Sequence, residues 1–459
     1  MEAEPAEPRW TIHVALPSGR SAPVPAAPSW SSLGEGGGEV WMDLKSRSLA
    51  QLRIESKQLL GVPHGLRLVE TPDETRSLQD AQLWDGAVVQ AVVEAVRLSA
   101  TEGAFAMWYR GGGVVTWGMP GAGGDSTQVQ DQLSNVQHVL PFRRAFAACL
   151  TDGSSVAWGH AGAESCPDRE VLSNLREIHA TDESFAAISG EGFLVTWGHP
   201  RRGGTAPRME GPSIRQLVAA ESAFAAVLDD GAVVAWGAEE AGGDSSEVQE
   251  QLKNVQELEA SSNSTSFAAL LTNGRVTTWG DASFGGDSSS VQDQLKNVKS
   301  IKASAMAFAA LLANGQVVTW GDPSTGGDSS RVQHELKEVQ KLEATSSAFA
   351  AILSTGRVVT WGLSTAGGDS SSVQARLLDI TEVRATGSAF AAVTTTGQVV
   401  TWGNAAFGGD SGQLQDLEVV QLEASNGAFA ALCSDGRLVT WGHPDFGGEQ
   451  RVQAQIQRL

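Results

Sequence analysis

An aspartate follows a Gly-Gly pair at six places in the chain: Asp125, Asp244, Asp287, Asp328, Asp369 and Asp410. Carboxylate oxygens bind Ca²⁺ and glycine-rich turns can cradle phosphate, so the pattern could serve either chemistry. A Ca²⁺ site needs several oxygens that converge on one point, however, and one aspartate per segment does not supply them. We therefore interpret these residues as turn acids before a helix start, where the helix dipole favours negative charge.

Histidines and cysteines show no catalytic or metal-binding pattern. His160, His199 and His443 each follow a Trp-Gly pair and are predicted to be polar loop residues on one face. Cys149 and Cys433 fall in apolar segments, where we expect buried and inert thiols, and Cys166 falls in a loop without a histidine partner. No nucleophile elbow, P-loop or kinase signature is present. The sequence thus predicts no catalytic residue, no cofactor and no metal site, and we expect a protein that is not an enzyme.

Length and charge narrow the class of protein further. The chain has 459 residues and a formal net charge of −21, a field that repels the phosphate backbone of nucleic acids. No apolar run reaches the ~18 residues of a membrane span, and the acidic start lacks the apolar region of a signal peptide. Three scattered cysteines are typical of a reducing compartment. We expect an acidic intracellular protein, either cytoplasmic or nuclear, that binds no nucleic acid.

Tryptophan recurs at a nearly constant interval. Nine of the 14 tryptophans precede a glycine, at spacings of 39 to 43 residues, and each has a phenylalanine twelve positions before it. A repeat of about 40 residues is typical of propellers and solenoids. Each ring removes about 150–250 Å² from water when it is buried, so we predict that these residues form the structural core between repeats. The nine pairs are Phe105/Trp117, Phe146/Trp158, Phe185/Trp197, Phe224/Trp236, Phe267/Trp279, Phe308/Trp320, Phe349/Trp361, Phe390/Trp402 and Phe429/Trp441.

Residues 298–336 show the pattern of one repeat. Alternation at 301–303, a continuous apolar run at 307–312 and β-branched residues at 317–320 predict three strands. Asn314-Gly315 predicts a hairpin with a type I′ turn between the last two. Val332, Leu336 and Val339 have the spacing of a short helix, and Ser330 with Gln333 fits a capping box. The predicted unit is three strands followed by a short helix.

The pattern A-F-A-A-L-x-x-x-G-x-V-V-T-W-G, as in residues 307–321, resembles the regulator-of-chromosome-condensation repeat. The resemblance extends over residues 96–459. The short period is similar to that of the bacterial propeller-type β-lactamase inhibitor, which uses three-stranded blades. The resemblance implies a mainly β fold, a β-propeller-like toroid of nine units, and an open β-solenoid is the alternative. Phe-Ala stands where the family often has histidine, and Gly-Gly-Asp-Ser replaces Gly-Gln-Leu-Gly, so no binding residue is carried over.

Residues 9–95 lack the repeat and are predicted to form a second domain. Segments 10–16, 21–24, 66–69 and 87–93 are predicted strands, and 40–60 is a predicted helix after a glycine- and serine-rich stretch at 31–38. This order, the L-P-S-G first turn and the S-L-x-x-x-x-L-x-D-G stretch resemble ubiquitin and imply a small α+β (β-grasp) domain. The chain continues past residue 95, so the domain is not a conjugated modifier. Arg67 stands where ubiquitin has an exposed aliphatic residue, which argues against ordinary ubiquitin receptors.

Repeats that depart from the consensus carry the binding hypothesis. The third repeat contains Arg201 and Arg202, a basic spot on an acidic chain, and these two with Arg67 are the candidate partner-binding residues. The resemblance implies protein partners, which are small GTPases in some relatives and ubiquitin-ligase substrates in others. We predict a monomeric, non-catalytic interaction scaffold or adaptor that is linked to a ubiquitin-pathway component. The alternatives are nucleotide exchange on a small GTPase and inhibition of an enzyme, but repeat spacings of 39 to 43 leave no long insertion for either.

Overall fold

The structure is a computed structural model of the chain, and it describes residues 96–160, 175–209, 213–261, 265–410, 418–434 and 437–448, together with four strands within residues 10–93. The chain divides into two compact units, residues 1–97 with Leu459 and residues 98–458. Of the helices in these described ranges, none has the length and apolar character needed to cross a bilayer.

The first unit contains a four-stranded mixed sheet. Its strands are β1 (Trp10–Ala15), β2 (Gly37–Met42), β3 (Leu66–Leu68) and β4 (Val88–Val93). Their order is β2-β1-β4-β3, with β1 and β4 parallel and the other two pairs antiparallel. Strand β2 corrects our prediction of a linker and a helix start at these positions, because Val40 and Trp41 favour extended backbone and β1 supplies the pairing edge. The predicted strand at 21–24 and the rest of the predicted helix lie outside the described residues.

The second unit consists of nine three-stranded antiparallel sheets, which we call blades 1 to 9. In each blade the strands lie side by side in chain order, which confirms the predicted repeat of three strands. The strands are β5 (Arg97–Ala100), β6 (Ala104–Trp108) and β7 (Val114–Gly118) in blade 1; β8 (Val136–Phe142), β9 (Ala145–Leu150) and β10 (Ser155–Gly159) in blade 2; β11 (Leu175–Ala180), β12 (Ser184–Ser189) and β13 (Leu194–Gly198) in blade 3; β14 (Ile214–Ala219), β15 (Ala223–Leu228) and β16 (Val233–Gly237) in blade 4; β17 (Val255–Ala260), β18 (Ser266–Leu271) and β19 (Val276–Gly280) in blade 5; β20 (Val298–Ala303), β21 (Ala307–Leu312) and β22 (Val317–Gly321) in blade 6; β23 (Val339–Ala344), β24 (Ala348–Leu353) and β25 (Val358–Gly362) in blade 7; β26 (Ile380–Ala385), β27 (Ala389–Thr394) and β28 (Val399–Gly403) in blade 8; and β29 (Val419–Ala424), β30 (Ala428–Cys433) and β31 (Leu438–Gly442) in blade 9.

The hairpin between the second and third strands is present, but its turn is not type I′. In blade 6, Gly315 N donates to Leu312 O at 2.9 Å, and Gly315 has a φ of 79° while Asn314 has a negative φ. A type I′ turn needs a positive φ at both central residues. The loop is instead a turn that ends in one left-handed glycine, and the Asn314 side chain accepts a hydrogen bond from Gln316 N at 3.0 Å.

The helix predicted after the third strand is only a single turn of 3₁₀ helix where one forms, as at Ser289–Val291 of blade 5, and residues 330–335 of blade 6 form turns instead. In blade 6, Ser329 rather than Ser330 contacts Gln333: the Ser329 hydroxyl donates to Gln333 Oε1 at 2.9 Å, and Gln333 Nε2 donates to Val317 O at 3.0 Å. The capping-box prediction is therefore wrong, because the glutamine covers the free edge of the third strand. Within the described residues, the 3₁₀ helices are Pro120–Ala122, Gln130–Gln132, Pro200–Arg202, Glu239–Ala241, Ser246–Val248, Ala282–Phe284, Ser289–Val291, Pro323–Thr325, Ser364–Ala366, Gln374–Arg376, Ala405–Phe407 and Pro444–Phe446.

The core lies between the blades. Phe308 is fully buried and stacks on Trp320 with ring centroids 5.3 Å apart, and every blade has such a pair at 5.1 to 5.4 Å. The pair of blade 6 packs against Ala268 and Leu270 of blade 5. Trp320 Nε1 also donates to Gly285 O of blade 5 at 3.0 Å. Each aromatic pair therefore joins its blade to the preceding one.

Blade 3 has an additional ring beside its aromatic pair. Trp197 is buried and stacks on Phe185 with ring centroids 5.2 Å apart, but the residues before it in β13 are only half-buried. A third ring joins this pair, because Phe142 of blade 2 packs edge-on against Phe185 at 6.0 Å. Blade 6 has Ser304 at the position of Phe142, where its hydroxyl binds backbone carbonyls. Three rings, those of Phe142, Phe185 and Trp197, therefore form the aromatic core between blades 2 and 3.

Blade 9 contacts blade 1 as other neighbouring blades contact each other. A Cβ added to Gly447 would lie 2.7 Å from Phe105 Cδ2, and one added to Gly408 would lie 2.6 Å from Phe429 Cδ2. Asn426 N of blade 9 also donates to Glu102 O of blade 1 at 2.8 Å. The alternative of an open solenoid is therefore wrong. The nine blades form a closed propeller-like ring, and each blade consists of three consecutive strands, so that closure involves no exchanged strand.

Candidate functional site

The first strands of the blades surround the ring axis. A cavity of about 460 Å³ is lined by first strands and adjoining turns of blades 1 to 5. Because a single cavity touches five successive blades, it lies at the axis of the ring. We call it the axial cavity, and its lining residues are Glu102, Leu140, Pro141, Phe142, Arg143, Arg176, Glu177, Ile178, His179, Ala180, Val218, Ala219, Glu259 and Ala260.

A β-bulge near the start of the first strand directs side chains towards this axis. In blade 3, Leu175 pairs with Ser189 and Glu177 pairs with Ile188, so Arg176 is the extra residue. A bulge breaks the strict alternation of side chains and changes the direction of the extra one. Arg176 accordingly lines the axial cavity, and its guanidinium donates to the carbonyl oxygen of Ile214 in blade 4. The same register shift occurs in blades 2 to 9.

Side chains bridge the first strands, which belong to separate sheets. Gln216 Oε1 accepts from Leu258 N at 2.8 Å, and Gln216 Nε2 donates to Leu258 O at 2.9 Å. Gln421 makes the same pair of bonds to Leu98, at 3.3 and 3.2 Å, across the junction of blades 9 and 1. One amide group thus satisfies both backbone groups of a residue in the next blade, so the wall of the axis is polar and ordered.

A belt of backbone hydrogen bonds surrounds one end of the axis. It is formed by one residue of each turn between first and second strands, which we call the inner turn residue. Its N–H donates to the carbonyl of the next blade at six junctions, for example Glu102 to Arg143 at 2.7 Å and Ser346 to Gly387 at 3.1 Å. The described inner turn residues are Glu102, Arg143, Asp182, Glu221, Ala305, Ser346, Gly387 and Asn426.

Charge is divided unevenly around this belt. The inner turn residues of blades 1 to 4 are all charged, and those of blades 6 to 9 are all uncharged. Arg143 links three blades, because its guanidinium lies 3.3 Å from Glu102 Oε1 and 2.7 Å from Asp182 Oδ1. Burial raises the pKa of Glu102, although Arg143 opposes this effect. We call the side chains of Glu102, Arg143, Asp182 and Glu221 the charged sector.

Glu259 of blade 5 is the most strongly perturbed acid at the axis. Desolvation raises its pKa to about 7, although the charge of Lys302 and the hydrogen bond from Ala303 N favour the ionised form. Lys302 itself lies 3.4 Å from Glu343 of blade 7. Desolvation disfavours the Lys302 cation, but the carboxylates of Glu343 and Glu259 outweigh it and raise the lysine pKa. Glu259 is thus a carboxylate that titrates near neutral pH beside a solvent-accessible cavity.

The predicted partner-binding arginines lie elsewhere. Arg201 and Arg202 end the 3₁₀ helix Pro200–Arg202, and both are exposed. Arg202 lies 3.5 Å from Glu183 of the same blade and donates to the Ser222 hydroxyl at 3.4 Å. Arg67 lies in β3 of the first unit, opposite Val92. Neither Arg201 nor Arg202 lines the axial cavity.

The residues considered for chemistry take structural positions. Asp328 Oδ1 accepts from Ser330 N at 2.8 Å, and this bond is the main cause of the lowered pKa of Asp328. Asp125, Asp287 and Asp369 behave in the same way. In the described part of the chain, no three His, Cys, Asp or Glu side chains are grouped as a metal site. Cys149 and Cys433 are buried thiols, as predicted, and Cys166 lies outside the described residues.

Sequence reasoning missed Glu259, Arg176 and the bridging glutamines. The signal for Glu259 is a position in strand register that other blades fill differently: Glu259 pairs with the alanine after the repeat phenylalanine, as do Lys302 in blade 6 and His179 in blade 3. Variation at a constant position of a repeat marks a side chain that the fold does not require. The pattern alone does not show that these positions meet at one axis.

Comparison with known proteins gives similarity at the level of whole structures only. No family model matches the chain, and no curated protein matches it. Yeast RCC1 (Prp20) in complex with Kap60 is 16% identical with a TM-score of 0.40, over 72% of this chain and 88% of that one. Prp20p from Saccharomyces cerevisiae, in a study of its binding to Gsp1p and histones, is 16% identical with a TM-score of 0.38, over 63% and 91%. Human WBSCR16 is 14% identical with a TM-score of 0.38, over 74% and 88%.

Proposed function

We propose that this chain is a non-catalytic protein-interaction scaffold whose partner docks on the charged end of the ring axis. The main observation in support is that the inner turn residues are charged in blades 1 to 4 and uncharged in blades 6 to 9, although their backbone arrangement is the same. The inner turn residues make the same backbone hydrogen bonds whether they are charged or not, as Glu102 and Ser346 show. The fold therefore does not require the charges of blades 1 to 4, and binding is the function that such a sector serves.

Exposure supports this assignment. Asp182 is 41% exposed and its carboxylate contacts Arg143, so the pair is ordered and accessible. The axial cavity opens beside the same sector, because Glu102 and Arg143 line it as well. An ordered charged rim around a recess is typical of a specific protein-binding surface.

The first unit fits the role of a recruiting module. Its sheet order β2-β1-β4-β3 with a parallel central pair is consistent with the ubiquitin-like domain predicted for residues 9–95. We propose that this domain joins the scaffold to a ubiquitin-pathway component, and that the ring holds the second partner. Exchange activity on a small GTPase has no specific observation in its favour here.

The test is affinity purification with quantitative mass spectrometry, using the full chain and two double variants. Asp182→Asn with Glu221→Gln removes two charges from the charged sector. Glu247→Gln with Asp293→Asn removes two exposed carboxylates elsewhere and is the matched control, because Asp293 and Glu247 lie in the outer segments of blades 5 and 4. We expect the wild type and the control to retain one set of proteins that the sector variant loses. Equal recovery by all three chains, or no specific protein with any of them, would contradict the proposal. The identity of a recovered partner would show whether it belongs to a ubiquitin pathway or is a small GTPase.

A further inference from the structure

The acids that line the axial cavity differ in their partners. Glu102 contacts Arg143 at 3.3 Å, and Glu177 contacts His179 at 2.7 Å. Glu259 has no ion pair within 4 Å among the described residues, and its Oε1 accepts a single hydrogen bond, from Ala303 N at 3.2 Å. Lys302 is the cation whose charge favours the ionised form of Glu259, but it is paired with Glu343 instead. Among the described residues, Glu259 is therefore the cavity carboxylate without an ion-pair partner within 4 Å.

One part of the cavity wall is suited to an aliphatic chain. Leu140, Val218 and Ala219 line the cavity from blades 2 and 4 and are only partly buried, so they remain accessible. Apolar surface of this kind favours methylene groups. A long side chain with an aliphatic stem and a cationic end would cover this apolar part of the wall and place its charge at Glu259.

We propose that the axial cavity receives a lysine side chain of the docked partner, with its ammonium group bound by Glu259. This inference rests on the proposed scaffold function and names the chemistry that the recess recognises. The cavity volume of about 460 Å³ accommodates such a chain together with water. The ammonium group supplies a cation in direct contact with Glu259, which favours the ionised form of the carboxylate.

The charged groups around Glu259 have opposite effects on its ionisation. Lys302 favours its ionised form, while Glu257 and Glu343 disfavour it. Arg143, Arg176 and His179 line the same cavity from blades 2 and 3, and Glu102 and Glu177 line it with them. Because the pKa of Glu259 is raised to about 7, ammonium binding shifts the group towards its ionised form and releases a proton from the fraction that is protonated. Ammonium binding is therefore expected to strengthen as the pH rises from 6 to 8.

The test uses Nα-acetyl-lysine methylamide as the probe and Nα-acetyl-norleucine methylamide as its uncharged counterpart. Binding to the full chain is measured by saturation-transfer NMR at pH 6 and pH 8. We expect the lysine probe to bind more tightly at pH 8, and Glu259→Gln to weaken it by about tenfold or more, because a charge-assisted hydrogen bond is lost. Glu382→Gln is the control: this residue lies in the first strand of blade 8, pairs with Arg384 and does not line the axial cavity, so its variant should keep wild-type affinity.

Several results would overturn the inference. These are equal binding of the norleucine probe, unchanged binding by Glu259→Gln, or an equal loss with Glu382→Gln. Pentane-1,5-diamine is tested in parallel, and tenfold tighter binding of this free amine would replace a partner side chain with a small-molecule ligand. If the partners recovered by wild type are also recovered by Glu259→Gln and the lysine probe does not bind, the lysine inference fails while the scaffold proposal stands.

Discussion

The indole Nε1 of Trp320 donates a hydrogen bond of 3.0 Å to the carbonyl oxygen of Gly285 in the preceding blade. The same bond, at 3.0 to 3.1 Å, joins Trp158, Trp236, Trp279, Trp361, Trp402 and Trp441 to the blade before each of them. For Trp197, the corresponding segment of blade 2 lies outside the described residues. At the junction of blades 9 and 1 the bond is absent, because the buried Trp117 Nε1 finds no acceptor among the described residues. The aromatic stack is repeated at the junction that closes the ring, but its hydrogen bond is not.

This difference predicts unequal costs for the same substitution. Trp320→Phe removes ring volume from the core and leaves Gly285 O without its donor, at a cost of about 3 kcal/mol. Trp117→Phe removes the same volume together with a donor that has no acceptor, so it should cost about 1–2 kcal/mol less. Urea unfolding of both variants, followed by tryptophan fluorescence and circular dichroism, measures the two values. Equal destabilisation would show that the Trp–Gly hydrogen bond contributes nothing to the interface.

Gly326 tests how closely neighbouring blades approach. Its φ is 101°, and an added Cβ would lie 2.5 Å from Phe349 Cδ2. Gly153 is the matched control, because its φ is 86° and an added Cβ would meet nothing within 4 Å. Gly153→Ala should cost about 1 kcal/mol from backbone strain alone. Gly326→Ala adds a clash with a buried ring and should cost about 3 kcal/mol in total. A difference near zero between the two unfolding free energies would mean that the aromatic pair moves aside freely.

Neighbouring serines distinguish the observed edge cover from the predicted capping box. Ser329 is buried and its hydroxyl bonds both Gln333 Oε1 at 2.9 Å and Thr319 Oγ1 at 3.1 Å. Ser330 is exposed. Ser329→Ala should therefore cost about 1–2 kcal/mol, and Ser330→Ala less than about 0.5 kcal/mol. Thermal unfolding measures the loss of stability in the two variants. A larger loss for Ser330→Ala than for Ser329→Ala would restore the capping-box interpretation.

Glu259 makes the free energy of unfolding depend on pH, and the sign of this dependence follows from its raised pKa. Its folded pKa of about 7 lies above the ordinary value of 4.5, so the folded chain binds more protons than the unfolded chain between these pH values. The stability contributed at this site is full below about pH 4.5 and is lost as the pH rises through about 7. We expect the stability of Glu259→Gln relative to wild type to be about 2 kcal/mol higher at pH 8 than at pH 4.5, after allowance for screening by cavity water. Urea midpoints at pH 4.5, 6, 7 and 8 measure the difference, and a constant offset would show that the carboxylate is fully hydrated.

Much of the ring follows from local pattern. The apolar run at 307–312 predicts β21 with its observed bounds, because a strand buried on both faces needs apolar side chains at every position. The Phe308/Trp320 spacing follows from the hairpin, since the two residues are direct cross-strand partners. Turn type and helix type were less predictable. Asn314-Gly315 and Ser330/Gln333 each fit a local rule, but neighbouring elements determine which side chain is used: Gln333 reaches the open edge of β22 rather than capping its own helix.

By itself, the sequence determined the number of repeats, the three strands of each and the aromatic pair that joins them, because these depend on residue periodicity over a few neighbouring positions. Only the tertiary structure decided that nine repeats close into a ring, because closure depends on a small rotation between blades that accumulates over the whole chain. The arrangement of successive blades around the axis also brings Arg143, Arg176 and Glu259 from three different blades to one axial cavity. No short-range sequence pattern relates residues so far apart in the chain. They come together because they lie at a similar distance from the axis.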